Sequence, residues 1–198
     1  MAMEFKRKLP IPKEIREEMP LPAGATSSKA SFDAEVARII RGESTKRLLV
    51  IGPCSADRED AVLDYVVRLA RLQEEVAEKL VIIPRVYTNK PRTRGTGYKG
   101  LLHNPDPEGA PDLLEGVRAI RHMHLRVVEE SGMFTADEML YPENYQYLVD
   151  ILSYVAVLLA IPHMLRLDPV FLPSRAQRIY WGVLLVSVGA CLLWYRIL

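Results

Sequence analysis

Residues 80–100 read LVIIPRVYTNKPRTRGTGYKG, and the two halves of that stretch have opposite chemistry. The first half, 80–87, is an apolar, β-branched run too short for an isolated helix, which suits a strand inside a sheet. The second half carries Lys90, Arg92, Arg94 and Lys99 among Gly95, Gly97 and Gly100, with Arg85 and Tyr87 at the end of the strand itself. In parallel α/β folds the working groups gather just beyond the C-terminal ends of strands, so a cationic, glycine-containing loop here places candidate chemistry as well as fold.

The pattern repeats outward from this segment. Upstream, residues 47–52 contain a Leu-Leu-Val-Ile run ended by Gly52-Pro53-Cys54-Ser55, which predicts a second strand, buried on both faces. Between the two strands, Val62, Tyr65, Val66, Leu69, Leu72 and Val76 recur at steps of three and four, giving a helix over 58–80 that lays one stripe on the sheet. Downstream, a helix is expected over 111–130, ended by Gly132, then a third strand over 133–138 and a third helix over 142–154. Before the first strand, Phe32, Val36, Ile39 and Ile40 mark a short helix over 31–41, stopped by Gly42. Residues 1–30, with Pro10, Pro12, Pro20 and Pro22, read as an extended arm and loop without a fold of their own. Strands alternating with helices of this length give an α/β class built of parallel βα units with right-handed crossovers.

Composition sets limits on partners. A chain of 198 residues, 49% hydrophobic and 26% charged, is globular rather than disordered, and a net charge of +1 gives no field for nucleic acid, so none is expected. Cys54 and Cys191 do not form a disulfide framework, and the charged first ten residues lack a secretory core, so a cytoplasmic, reducing location is expected. The end of the chain differs from the rest. Residues 179–195 are uncharged, with Tyr180 and Trp181 at one end, Trp194 and Tyr195 at the other, and Arg175, Arg178 and Arg196 outside. That arrangement is the aromatic belt of a short transmembrane helix, at the lower limit of about 17 residues needed to span a bilayer. The alternatives are a buried core helix, or a tail from foreign or shifted coding sequence that is merely apolar.

Arg85, Lys90, Arg92, Arg94 and Lys99 suit phosphate and carboxylate groups through charge-assisted bonds, and the glycines let the backbone approach a ligand, so a small, multiply anionic substrate is expected. Each residue also has a plainer reading. Loop cations are most often solvated, a lone cysteine after a strand is most often a small buried apolar group, and Glu138 could simply cap the next turn. The combination is more specific than its parts. Gly-Pro-Cys-Ser at 52–55, Arg-Val-Tyr at 85–87, Lys-Pro-Arg-Thr at 90–93, Gly-Tyr-Lys-Gly at 97–100, then Leu101, His103, Pro105 and Asp106, and Ala-Asp-Glu-Met-Leu at 136–140, resemble the microbial type I 3-deoxy-D-arabino-heptulosonate-7-phosphate (DAHP) synthases over residues 1–157.

That resemblance implies a TIM (β/α)8 barrel, of which 31–157 would supply the first three βα units, incomplete; the apolar C-terminal helix read from 179–195 lies outside it. It implies condensation of phosphoenolpyruvate with erythrose 4-phosphate, at the head of the shikimate pathway to aromatic amino acids, in a protein that assembles as a homo-oligomer. It implies a divalent metal that polarises the aldehyde, with Cys54 as one ligand; a thiolate beside oxygen and imidazole suits manganese, iron, cobalt or zinc better than magnesium. Carried over by position, Arg85 and Lys99 hold phosphoenolpyruvate, and Lys90, Arg92 and Thr93 hold the aldose phosphate. Glu138 sits beside phosphoenolpyruvate and its attacking water, and Lys90 and Glu138 are the catalytic candidates. After Val157 the resemblance stops at Leu158-Leu159-Ala160, and the later phosphate and metal ligands have no counterpart. The domain reading is therefore an arm at 1–30, a partial barrel at 31–157 and an unrelated tail at 158–198. A catalytically incomplete fragment with membrane association through its tail stands as the alternative, and a phosphate-binding module that works without catalysis as the third.

Overall fold

The computed structural model describes residues 9–88, 100–106, 108–139 and 142–157, all in the first of the chain's two units, Met1–Leu158. The cationic residues Lys90, Arg92, Thr93 and Lys99, and the apolar tail with its expected helix over 179–195, lie outside these residues. Among the described residues no helix is long and apolar enough to cross a membrane.

Helix α1 spans Pro12–Glu18 and α2 Ala25–Arg41; strand β1 is Arg47–Ile51, α3 Glu59–Val76, β2 Leu80–Pro84, α4 Leu113–Ser131 and β3 Thr135–Met139. A 3-10 helix over Pro142–Tyr147 then leads to β4, Leu152–Val157. Every pairing is parallel. β1 pairs with β2 from Arg47↔Leu80 to Ile51↔Pro84, and β3 with β4 from Thr135↔Leu152 to Met139↔Val157. The two pairs are joined where β2 ends: Arg85 bridges Ala136, and the Val86 amide donates to the Ala136 carbonyl at 2.8 Å. The strand order is thus β1-β2-β3-β4, an open parallel sheet; no closed barrel is present among the described residues.

Two apolar layers sandwich this sheet. Ile82 and Val86 pack with Val62, Val66 and Leu69 of α3 and with Val117, Ile120 and Val128 of α4. On the opposite face Val81, Ile83 and Ala136 pack with Val36 of α2, flanked by Phe32 and Ile39 and by Leu48 and Val50 of β1. α2 thus covers this second face, and Phe32 reaches Phe134 with ring centroids 5.8 Å apart.

Helix limits follow local chemistry. Gly42 and Gly132 end α2 and α4 at φ 76° and 68°, a conformation glycine takes without strain. Asp112 caps α4 by accepting from the Leu114 and Glu115 amides at 2.9 and 3.2 Å.

Four expectations need correction. The segment read as an extended arm holds α1, started by Pro12 and by the Glu14 carboxylate accepting from the Ile11 amide, and it buries Ile15 completely. The helix expected over 31–41 begins earlier, at Ala25, after Gly24. β1 is not buried on both faces: Leu49 and Ile51 are exposed, because β2 alone pairs with it among the described residues and α3 covers β2 instead. The helix expected over 142–154 is a 3-10 turn followed by a fourth parallel strand, so the sheet has four strands rather than three. The aromatic and β-branched Ser-Tyr-Val-Ala-Val run at 153–157 favours the extended state there, and Leu148 and Ile151 turn the short connection inward with no exposure.

Candidate functional site

The sheet places the ends of β1, β2 and β3 side by side, and with them Cys54, Arg85 and Glu138. The β1 exit is tight. A Cβ on Gly52 would stand 2.0 Å from the Arg85 carbonyl oxygen, so only glycine lets the two strand ends touch, and the Arg85 amide donates to the Ile51 carbonyl at 2.8 Å across that contact. Beyond it, the Ala56 amide donates to the Tyr87 carbonyl at 2.9 Å, which ties the Cys54 loop to the end of β2. Cys54 is exposed on that loop.

Arg85 is the centre of the rim. Its Nη1 donates to Glu138 Oε1 at 2.7 Å and its Nη2 to the Pro53 carbonyl at 2.8 Å, so one guanidinium links the exits of three strands. It also lies 5.3 Å from the centre of the Tyr87 ring. The Arg85 and Glu138 side chains keep 28% and 20% of their surface, enough to meet a ligand and too little for full solvent screening. Tyr87 is buried, and its hydroxyl is pushed well above the usual phenol range, first by desolvation, then by the negative charge of Glu138 and the hydrogen bond between them.

Behind the rim stands a second, buried polar layer that the sequence reading did not pick out. Asp137 Oδ1 accepts from the Thr88 amide at 3.1 Å and the Glu138 amide at 2.7 Å, and Oδ2 accepts from the Thr88 hydroxyl at 2.5 Å. His124 of α4 completes it, with Nε2 3.3 Å from Asp137 Oδ2 and Nδ1 2.7 Å from Thr135 Oγ1. Both His124 and Arg121 sit on the buried stripe of α4 that Val117, Ile120 and Val128 define, and a polar residue on an apolar stripe was the available signal. Arg121, with no exposure, binds the Met19 and Tyr147 carbonyls and both oxygens of Asp150, so it holds the N-terminal segment and the approach to β4 in place.

After the cationic stretch comes a turn at Gly100–Asn104, closed by the His103 and Asn104 amides donating to the Gly100 carbonyl. Its Leu102 carbonyl packs so closely on α4 that a Cβ at Gly116 would meet it at 1.7 Å. A separate cavity of about 430 Å³, lined by Asp57, Glu59, Leu101, Arg118, His122 and Met123 among others, shares no lining residue with the rim.

Of the residues expected to act together, the structure brings Arg85 and Glu138 into contact and places Cys54 on the neighbouring loop; Lys90, Arg92, Thr93 and Lys99 lie outside the described residues. As a metal centre the set does not suffice: no group of three or more His, Cys, Asp or Glu side chains gathers among the described residues, and a catalytic metal takes about three protein donors. The arrangement as described can recognise an anion and hold a carboxylate beside it.

Comparison with known proteins gives a consistent result. Residues 21–158 match the family model described as the DAHP synthetase I family. The chain is 35% identical over 154 residues to the Phe-sensitive phospho-2-dehydro-3-deoxyheptonate aldolase of Escherichia coli K12, covering 78% of this chain and 43% of that protein. It is 34% identical over 146 residues to the phenylalanine-inhibited enzyme of the same name from Saccharomyces cerevisiae, covering 74% and 39%. Among solved structures, the phospho-2-dehydro-3-deoxyheptonate aldolase of Francisella tularensis superposes with a TM-score of 0.70 at 26% identity, over 79% of this chain and 45% of that one. The chain thus spans less than half the length of these relatives.

Proposed function

Because the chain belongs to the DAHP synthetase I family, we propose that its rim is the phosphoenolpyruvate side of a DAHP synthase site, serving condensation with erythrose 4-phosphate. The observation that carries this reading is the Arg85–Glu138 contact of 2.7 Å at the ends of adjacent parallel strands, with the Pro53 carbonyl fixing the other guanidinium nitrogen. A guanidinium has five N–H donors in a planar fork, so its two bonds here leave donors for a phosphate or carboxylate. Glu138 orients Arg85 and, on this reading, takes the proton of the water that adds at C2. Lys99 supplies a second cation for phosphoenolpyruvate, and Lys90, Arg92 and Thr93 hold the phosphate of the aldose, with Lys90 beside the reacting aldehyde.

The four-stranded parallel sheet fits the first half of an eight-stranded (β/α)8 barrel, and homo-oligomeric assembly in the cytoplasm fits the family. Cys54 would give one thiolate to the family's divalent metal. Among the described residues no group of three donors forms with it, and a catalytic metal takes about three. A second reading is that the 198-residue polypeptide on its own binds phosphoenolpyruvate without turning it over.

Calorimetric titration tests the first reading. Phosphoenolpyruvate binds the chain, and Arg85→Ala raises Kd at least about tenfold, the effect of losing ~1.4 kcal/mol of charge-assisted bonding. Equal affinity in the two proteins contradicts it. Metal-dependent phosphate release with both substrates tests the second: none is expected, and turnover that disappears in Cys54→Ala refutes it.

A further inference from the structure

A carboxylate buried as deeply as that of Asp137 is costly unless its oxygens are fully engaged, and here four donors converge on it. What it engages is informative. The Glu138 amide belongs to the residue that holds Arg85. The Thr88 amide and hydroxyl belong to the residue at which the chain leaves β2 for the cationic segment at 89–99. The carboxylate therefore spans two strand exits from beneath, β3 on its own side and β2 on the other.

His124 explains why Asp137 points there. With Asp137 accepting from the Thr88 and Glu138 amides and the Thr88 hydroxyl, the imidazole facing it donates from Nε2, while its Nδ1 lies 2.7 Å from the Thr135 hydroxyl oxygen. Thr135, His124 and Asp137 form one hydrogen-bonded chain from the start of β3 to its rim, and both His124 and Asp137 are withdrawn from solvent. A buried ionic network is a weak source of stability compared with an apolar replacement of equal volume, whereas it can fix one geometry among several.

We propose that Asp137, oriented by His124, is a positioning residue that clamps the exits of β2 and β3 together and so sets where Glu138, Arg85 and Thr88 stand relative to a bound anion. The affinity consequence rests on the phosphoenolpyruvate reading given above; the clamp itself does not.

The test uses the full chain and separates the two. Thr88→Val removes the hydroxyl donor and keeps shape and backbone. Asp150→Asn weakens the Arg121 pair before β4, at the opposite end of the sheet, as a control for stability alone. The expected result is that both lower the thermal midpoint while only Thr88→Val raises the phosphoenolpyruvate Kd, by about tenfold, equivalent to ~1.4 kcal/mol. Midpoints lowered in both with Kd unchanged in both would make the network structural only and overturn the proposal. Should the unmodified chain not bind phosphoenolpyruvate at all, the functional reading fails and the clamp is decided by hydrogen exchange. Asp137→Ala then speeds exchange at the Thr88 and Glu138 amides about tenfold or more over amides of α4, and unchanged rates there overturn it. If Asp137→Ala does not fold, the Glu138 amide in Thr88→Val is read the same way, faster exchange supporting the clamp and an unchanged rate overturning it.

Discussion

Replacing Gly52 by alanine adds one methyl group at the place where the β1 and β2 exits meet. The new carbon would lie 2.0 Å from the Arg85 carbonyl oxygen, 2.8 Å from the carbonyl carbon and 3.0 Å from the Arg85 Cβ. Since ordinary contact begins near 3.4 Å, the strand ends must separate by roughly 1.4 Å, and the atoms in the way are backbone, which cannot swing aside. That movement takes the Arg85 amide, now 2.8 Å from the Ile51 carbonyl, out of bonding range. Overpacking contributes about 1–3 kcal/mol, and the lost strand bond contributes about 1 kcal/mol. The total, about 2–4 kcal/mol, is a large part of a typical domain stability of 5–15 kcal/mol. Urea unfolding of Gly52→Ala should show a lowered midpoint, and because Arg85 shifts from Glu138 and Pro53, phosphoenolpyruvate affinity should fall at least about tenfold among molecules that remain folded. A variant with the parent's midpoint and the parent's affinity would refute the close approach and the placement of Arg85 derived from it.

Gly116→Ala brings a Cβ to 1.7 Å from the Leu102 carbonyl, so it should displace the 100–104 turn from α4 and open it to proteolysis, read as faster cleavage in that turn than in the parent. Arg121→Met keeps apolar bulk on α4 but strips the Met19 and Tyr147 carbonyls and Asp150 of their donor; unfolding experiments should show a loss of about 3 kcal/mol. Tyr87 should ionise well above the usual phenol range, because burial and Glu138 raise it. A group raised in the folded state stabilises fully below its unfolded value near 10 and loses that contribution as pH rises above it, so Tyr87→Phe should flatten the alkaline loss of stability seen by phenolate absorbance and unfolding midpoint.

Strong local signals were legible in the sequence. The apolar run at 80–84 and the stop signals Gly42 and Gly132 state their own structure, and the structure follows them closely. Arg85 and Glu138 were readable as rim residues because each closes a strand. Local reading misled where tertiary packing decides. Tyr145, Leu148 and Leu152 recur at helical spacing, yet Pro142 and the β-branched run after Leu152 turn that segment into a bend and a strand. The proline-flanked α1 is only two turns long and owes its place to Ile15 in the core and to the Tyr147 hydroxyl donating to the Pro10 carbonyl, contacts that span most of the chain. Asp137 and His124 were hidden because Asp137 looks like a rim residue until the Thr88 amide is seen bonded to it across 49 positions.

The central claim is that Arg85 and Glu138, held together by three strand exits, receive phosphoenolpyruvate. A crystal structure of the chain grown with phosphoenolpyruvate tests it most directly. The account predicts phosphate or carboxylate oxygens within about 3.2 Å of the Arg85 guanidinium, on the Cys54 side of the rim, with Glu138 still in contact with Arg85. Phosphoenolpyruvate bound elsewhere, in the cavity beside Arg118 and His122 for instance, with Arg85 making only its bonds to Glu138 and Pro53, would contradict it.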